Sequence, residues 1–406
     1  MDQRTGREQG ASAPISVWNG RRVPLAITFA TSVASVSGAN LLYPVLPILA
    51  ADLQVDAARI GLAMVAFTAP AIVLAPLFGI LADLRGRRWL LVFGLAVFGL
   101  AGGAAAFAPT YDWVLVCRVV QGIGMSAITP LTIVLISDLL PDELEIHGQG
   151  YKVAIDRVAM IALPLAGGVL AALSWRYAFL VYLLIVPLAL AALLWMPETV
   201  SLGNDTLKQY LARTFRAVRE PRLTLAFATG FLRFFLDYGL FTYLPLLIVL
   251  HYGASAATSG WLIAISAAGS ILTAMNVRRI YQRQPAERLL ALAFFASALA
   301  LAIIALKQPL WMLALAAFLF GLGNGLISPL QKSLLTRRTP PALRGGVVSV
   351  DRVIQQVAKS LAPSLMGLLI LFANLEAVFW CLCALSALGT LALVWASRNR
   401  PVGFGS

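Results

Sequence analysis

The chain alternates between long apolar runs and short polar breaks. Apolar runs occupy about residues 24–50, 60–82, 89–108, 113–139, 150–173, 177–196, 223–250, 260–277, 289–306, 310–335, 347–372 and 375–396. Each reaches the roughly 17 to 25 residues an α-helix needs to cross ~30 Å of hydrocarbon. The pattern therefore predicts an all-α polytopic membrane protein of about twelve transmembrane helices. A transmembrane barrel would instead show alternating segments of ~10 residues, and nothing here alternates that way. The break at 197–222 is longer than the others. It opens with Pro197, Glu198, Gly203, Asn204 and Asp205 and continues as a basic amphipathic stretch from Lys208 to Arg222. It divides the chain into six-helix halves, 24–196 and 223–396, with a cytoplasmic tail at 1–23 and another at 397–406.

Composition leads to the same class. Of 406 residues, 60% are hydrophobic and 12% charged, and the mean hydropathy is +0.85. A soluble fold would have too few charges to cover so much apolar surface. The net charge of +13 would suggest nucleic acid in a soluble protein. Here only Arg59, Arg176 and Lys307 fall in breaks on one side, and Arg118, Arg157, Arg233, Arg352 and Lys359 fall within spans, which leaves 23 of the 31 Lys and Arg on the other side. Short cytoplasmic loops carry the Lys/Arg excess, so this asymmetry orients both termini into the cytoplasm. The charge reports topology and implies no nucleic-acid partner. The first 24 residues lack an apolar core and are not a signal peptide. Cys117, Cys381 and Cys383 lie in apolar segments, and the last two point in different directions on one helix, so neither a disulfide nor a metal site is indicated.

The halves repeat one another. Gly122, Gly124, Pro130 and Pro141 recur 199 residues later as Gly321, Gly323, Pro329 and Pro340, and Gly61 recurs as Gly260. Six helices per half is an even number, so the copies share an orientation and are related by an axis along the membrane normal. At the same offset Asp83 falls on Gln282, and the second half keeps positive charge there but loses the aspartate.

One polar break carries a motif. Gly79-Ile80-Leu81-Ala82-Asp83-Leu84-Arg85-Gly86-Arg87-Arg88 resembles the loop between helices two and three of the major facilitator superfamily, Gly-x-Leu-Ala-Asp-Arg-x-Gly-Arg-Arg/Lys. Leu84 departs from the usual basic residue. The resemblance implies an alternating-access transporter in which Gly79, Asp83, Gly86, Arg87 and Arg88 form a cytoplasmic gate. It also implies that an acid at the end of helix four, here Asp138, pairs with Arg87 and locks the outward-open state. The alternative for Asp138 is a solvated helix-end carboxylate.

Arg118-Val119-Val120-Gln121-Gly122-Ile123-Gly124 is similar to the fourth-helix motif of the family's proton-driven efflux pumps, whose arginine serves proton binding and release. The alternative is snorkelling to the interface. Gly150, Pro164, Gly167 and Gly168 match parts of the antiporters' fifth-helix signature, with Leu163 and Ala159 where glycines are usual. Small residues at Gly122, Gly124, Gly167 and Gly168 allow close helix approach, so these and Pro164 are read as packing positions.

Arg233 and Asp237 stand at i and i+4 and share a helix face. Intramembrane acids are rare and usually functional, which makes Asp237 the leading proton-coupling residue, with Arg233 and Arg118 assisting; a static pair that fixes packing is the competing reading. Asn40-Leu41-Leu42-Tyr43-Pro44-Val45-Leu46-Pro47 looks like the first helix of drug-efflux members but holds no carboxylate. In this fold helices one, four, seven and ten line the cavity, which implies Asn40, Tyr43, Met125, Tyr238, Phe241 and Asn324 as lining residues. Asp156-Arg157 and Asp351-Arg352 are expected to serve as interfacial anchors or inter-half gates rather than substrate contacts. Lys359 has no assigned role.

No phosphate-binding loop or His-Glu-x-x-His motif occurs, and the two histidines, His147 and His251, sit at helix ends. No enzyme activity, catalytic residue, metal or cofactor is expected. The expected protein is a monomeric transporter of the bacterial inner membrane, most similar to the drug:proton antiporters, whose partners are a small-molecule substrate, protons and the lipid bilayer. Two alternatives remain: a metabolite symporter or facilitator using Asn40, Asn324, Gln331 and Lys332, and a non-transporting sensor of the same fold.

Overall fold

The computed structural model describes residues 21–199, 223–281, 285–337 and 344–398. Within them twelve helices are long and apolar enough to cross a membrane: α1 (Arg22–Asp52), α2 (Ala57–Ala82), α3 (Arg87–Phe107), α4 (Tyr111–Leu139), α5 (Glu143–Leu173), α6 (Trp175–Trp195), α7 (Thr224–Tyr252), α8 (Ala256–Val277), α9 (Ala286–Ala305), α10 (Leu310–Leu335), α11 (Val347–Phe372) and α12 (Leu375–Arg398). The expected linker and tails lie almost entirely outside the described residues, as does the Asp83 side chain. The helical run containing α5 begins at Asp142, eight residues before the expected start. Its first two turns are polar, and hydropathy registers only the part that enters the apolar layer. α1 breaks after Asn40 into a 3-10 turn at Tyr43–Val45, where Pro44 supplies no N–H to the helix ladder.

The twelve helices form two bundles, α1–α6 and α7–α12, that pack internally in the same way. α4 lies against α2 and α3 as α10 lies against α8 and α9, and α5 lies against α1 as α11 lies against α7. The repeated glycines explain the match. A Cβ on Gly122 would strike the Phe67 carbonyl, and one on Gly321 would strike the carbonyl of Ser266, 199 residues further on. Gly124 abuts the Gly94 carbonyl, and Gly323 that of Ala293, at the same offset.

The bundles meet mainly through α5 against α8 and α2 against α11, along a seam that is also reciprocal. Gly61 packs on the Pro363 carbonyl and Gly260 on that of Pro164. Gly168 packs on the backbone at Ala257, and Gly367 on the carbonyl of Ala58. Both exchanges obey the 199-residue offset, as a two-fold axis between the bundles requires. They cluster at the end of the molecule opposite the Gly86 turn. Nearer the middle, Thr68 and Ser360 share an O–H···O bond of 2.8 Å across the bundles. Trp113, Trp261 and Trp311 are exposed near one end, and Trp195 and Trp395 near the other, in the manner of aromatic belts at two membrane surfaces.

Candidate functional site

A narrow cleft lies between the bundles at mid-depth, lined by Asn40 of α1, Arg157 and Met160 of α5, Arg233 and Phe241 of α7, Ile263, Ser266, Ala267 and Ser270 of α8, and Asn324 of α10. Of the expected lining residues, Asn40, Phe241 and Asn324 are here. Tyr43 is buried beside the cleft, its ring edge-on to Tyr238 at 6.0 Å and tilted against Phe241 at 5.8 Å, so it bridges the bundles. Met125 is buried and is not among the residues that line the cleft. A roomier opening, lined by Ile48, Asp52, Trp175, Ser255 and Ala256 among others, sits at the seam end. There Trp175 Nε1 donates to Asp52 Oδ2 at 2.6 Å.

Arg233 and Asp237 do share a face of α7, but an amide from α10 stands between them. Arg233 Nε donates to Asn324 Oδ1, and Asn324 Nδ2 donates to Asp237 Oδ1, each at 2.5 Å. Asp237 is only 9% exposed, so the amide satisfies a carboxylate that has little access to water. Helical spacing predicted the shared face correctly. It could not show a bridging group contributed from 87 residues away.

Arg118 is fully buried, which rules out snorkelling to a surface. It is held inside the first bundle: Nε donates to the Ala63 carbonyl at 3.2 Å, one terminal N–H to Gln121 Oε1 at 2.6 Å and another to the Gly38 carbonyl at 2.8 Å, with the guanidinium 4.0 Å from the centre of the Phe67 ring. Arg233, Lys359 and Arg157 lie close enough for their fields to act on Asp237. Of these, Arg157 was expected as an interfacial anchor or inter-half gate, and Lys359 had no assigned role. Arg157 sits mid-helix in α5, lines the cleft and donates to Ser270 Oγ at 3.2 Å across the bundles. Lys359 lies 4.7 Å from the Phe234 ring centre and 5.7 Å from that of Tyr238. For Arg157, depth counted from the expected start at 150 fell short, because the helix begins at Asp142.

The adjacent acids face other partners. Asp156 accepts from Ser32 at 2.5 Å and pairs with Lys152 at 2.7 Å. Asp351, also buried, accepts from Gln331 at 2.7 Å and Gln355 at 2.6 Å.

At the other motif, Gly86 adopts φ +95°, a conformation that side chains with a Cβ resist, and a Cβ there would also strike the Glu198 carboxylate. The reversal delivers Arg87 to Asp138 as a largely buried ion pair. The Arg88 guanidinium donates to the Leu193 carbonyl, and its backbone N–H to Glu198 at 3.3 Å. These bonds tie the start of α3 to the ends of α4 and α6, all in the first bundle. Gly79 has open space around it, whereas Gly167 abuts the Leu41 carbonyl.

The sequence model of the Major Facilitator Superfamily matches residues 28–363 and again 247–404, and the chain belongs to that superfamily. Among curated relatives, the bacillibactin exporter of Bacillus subtilis (strain 168) is 32% identical over 164 residues, 39% of each chain. The quinolone resistance protein NorA of Staphylococcus aureus is 30% identical over 142 residues, 35% of this chain and 37% of that one. The chain thus matches well under half the length of either. A solved mutant of the nucleoside transporter NupG superimposes with a TM-score of 0.77 over 91% of this chain and 99% of that one, at 13% identity. That likeness concerns the fold.

Proposed function

We propose that this chain is a secondary active transporter that exports small, largely apolar solutes across a bacterial cytoplasmic membrane in exchange for protons. The observation that carries this reading is the strut Arg233–Asn324–Asp237, a buried carboxylate beside a cleft between two pseudo-symmetric bundles. Protonating Asp237 removes the charge that Asn324 bonds to, and charge-assisted hydrogen bonds are roughly twice as strong as neutral ones. The link between α7 and α10 weakens and Arg233 is released toward the cleft. A proton therefore changes both the rigidity of the second bundle and the charge presented to cargo.

The Lys/Arg asymmetry supports a cytoplasmic Gly86 end. The Gly61, Gly168, Gly260 and Gly367 contacts would then seal the outer side, and alternating access requires them to part. The bond network at Arg87, Arg88 and Asp138 would keep the first bundle rigid while it rocks. The similarity to NorA and the bacillibactin exporter supports the outward direction.

The test is proton movement in proteoliposomes loaded with a pH dye and challenged with cationic, neutral and anionic aromatic compounds. Wild type is expected to move protons when cargo is added, and Asp237→Asn is not. Cargo-driven proton movement that persists in the variant refutes the assignment.

A further inference from the structure

The charges around the cleft do not balance. The cleft lining holds two arginines, Arg157 and Arg233, one from each bundle, and no acid, and Lys359 lies on the Phe234 ring that Arg233 also touches. Asp237 acts on all three, Asp156 on Arg157 and Asp351 on Arg233 besides. The contacts of these cations are with neutral groups: the Ser270 hydroxyl, the Asn324 carbonyl, and the rings of Phe234 and Tyr238. The Phe234 ring has the Arg233 guanidinium 4.6 Å from its centre and the Lys359 ammonium 4.7 Å from it, two cations on one ring. The other nearby acids are engaged: Asp156 by Lys152 and Ser32, Asp351 by Gln331 and Gln355. Cations that make no direct ion pair at membrane depth are costly and are kept where a pathway needs them.

We propose that the cleft selects an organic anion, a carboxylate-bearing amphiphile whose acid group sits among Arg157, Arg233 and Lys359 while its apolar body lies against Met160, Phe241 and Ile263. This refines the cargo class and rests on the cleft being the transport site. A guanidinium has five N–H donors, and Arg157 and Arg233 each spend one on the neutral groups named above, so donors remain for a carboxylate. Because the cations come from both bundles, an anion between them also neutralises charge that otherwise pushes the bundles apart. Binding would thereby favour closure around the cargo. A lipophilic cation meets the opposite field and is excluded.

The experiment is isothermal titration of the full chain in lipid nanodiscs, with protein-free discs subtracted, using naphthoate, naphthamide and naphthylmethylammonium. These probes share a ring and differ in charge. Naphthoate is expected to bind about tenfold or more tightly than the amide, with the ammonium weakest. Arg157→Gln and Lys359→Gln are each expected to erase the preference and leave amide binding in place, and Lys359→Arg to retain it. Variants are compared only where they elute as monodisperse protein. Equal binding of all three probes, a preference for the ammonium, preference surviving both Gln substitutions, or no naphthoate binding at millimolar concentration each overturns the proposal. Binding is read without any gradient, so charge-selective binding without proton-coupled flux defeats the exporter reading alone. Proton-coupled flux with charge-blind binding defeats this one alone.

Discussion

Gly260→Ala gives the sharpest test of how the bundles close. The added Cβ would overlap the Pro164 carbonyl oxygen and press on the Leu165 backbone. These are backbone atoms of a packed helix, so no side chain can swing aside. Overpacking of this kind typically costs about 1–3 kcal/mol. Alanine also gains about 1 kcal/mol of helix propensity over glycine, but that gain is the same in every conformation of α8 and cancels from the equilibrium between them. The net penalty falls on the state in which the seam is shut, and it shifts the ratio of shut to parted by roughly 5- to 150-fold. The reciprocal change Gly61→Ala meets the Pro363 carbonyl and the Tyr243 hydroxyl, itself fixed by a 2.8 Å bond to that carbonyl, and is expected to act alike. Spin labels at Leu173→Cys and Leu250→Cys, both exposed at the seam end of opposite bundles, would report the separation by pulsed electron resonance once Cys117, Cys381 and Cys383 are replaced. Each alanine should move population from the short to the long distance. Distance distributions unchanged in both variants would refute the seam as the closing contact.

Other consequences follow from individual bonds. Thr68→Ala removes the O–H···O bond to Ser360 at a cost of about 1 kcal/mol, and the same labels should show a smaller shift, under about tenfold; no shift would mean that bond carries none of the closure. Arg118→Ala deletes three hydrogen bonds from a fully buried cation, each worth about 1.5–3 kcal/mol, so thermal unfolding in detergent should fall by several degrees, and an unchanged midpoint would count against its bracing role. Asp138→Ala removes a carboxylate that the largely buried Arg87 pairs with and should destabilise by about 1.5–3 kcal/mol. The exchange Arg87→Asp with Asp138→Arg should recover much of that in denaturant melts, and failure to recover any would show that the loss is not one of charge pairing.

The sequence alone determined the class of protein. Apolar run length is set by the thickness of the bilayer, so twelve spans and a six-plus-six division could be counted directly. The 199-residue repeat followed from glycines that sit where helices approach most closely, and the structure shows each meeting a backbone atom. The Gly86 turn was legible because its conformation demands glycine. Tertiary structure decided what the charged residues touch. Spacing on α7 placed Arg233 and Asp237 on one face, but only folding brought Asn324 between them. Arg118, matched by motif, is enclosed among backbone carbonyls of its own bundle, whereas Arg157 lines the cleft and Lys359, which had no assigned role, sits on the rings of Phe234 and Tyr238. The reason is physical: helix periodicity fixes the direction of a side chain relative to its own axis, and the partner waiting in that direction comes from another helix whose rotation is set by packing. Charge balance in the cleft is a property of several helices at once and could not be read from any one of them.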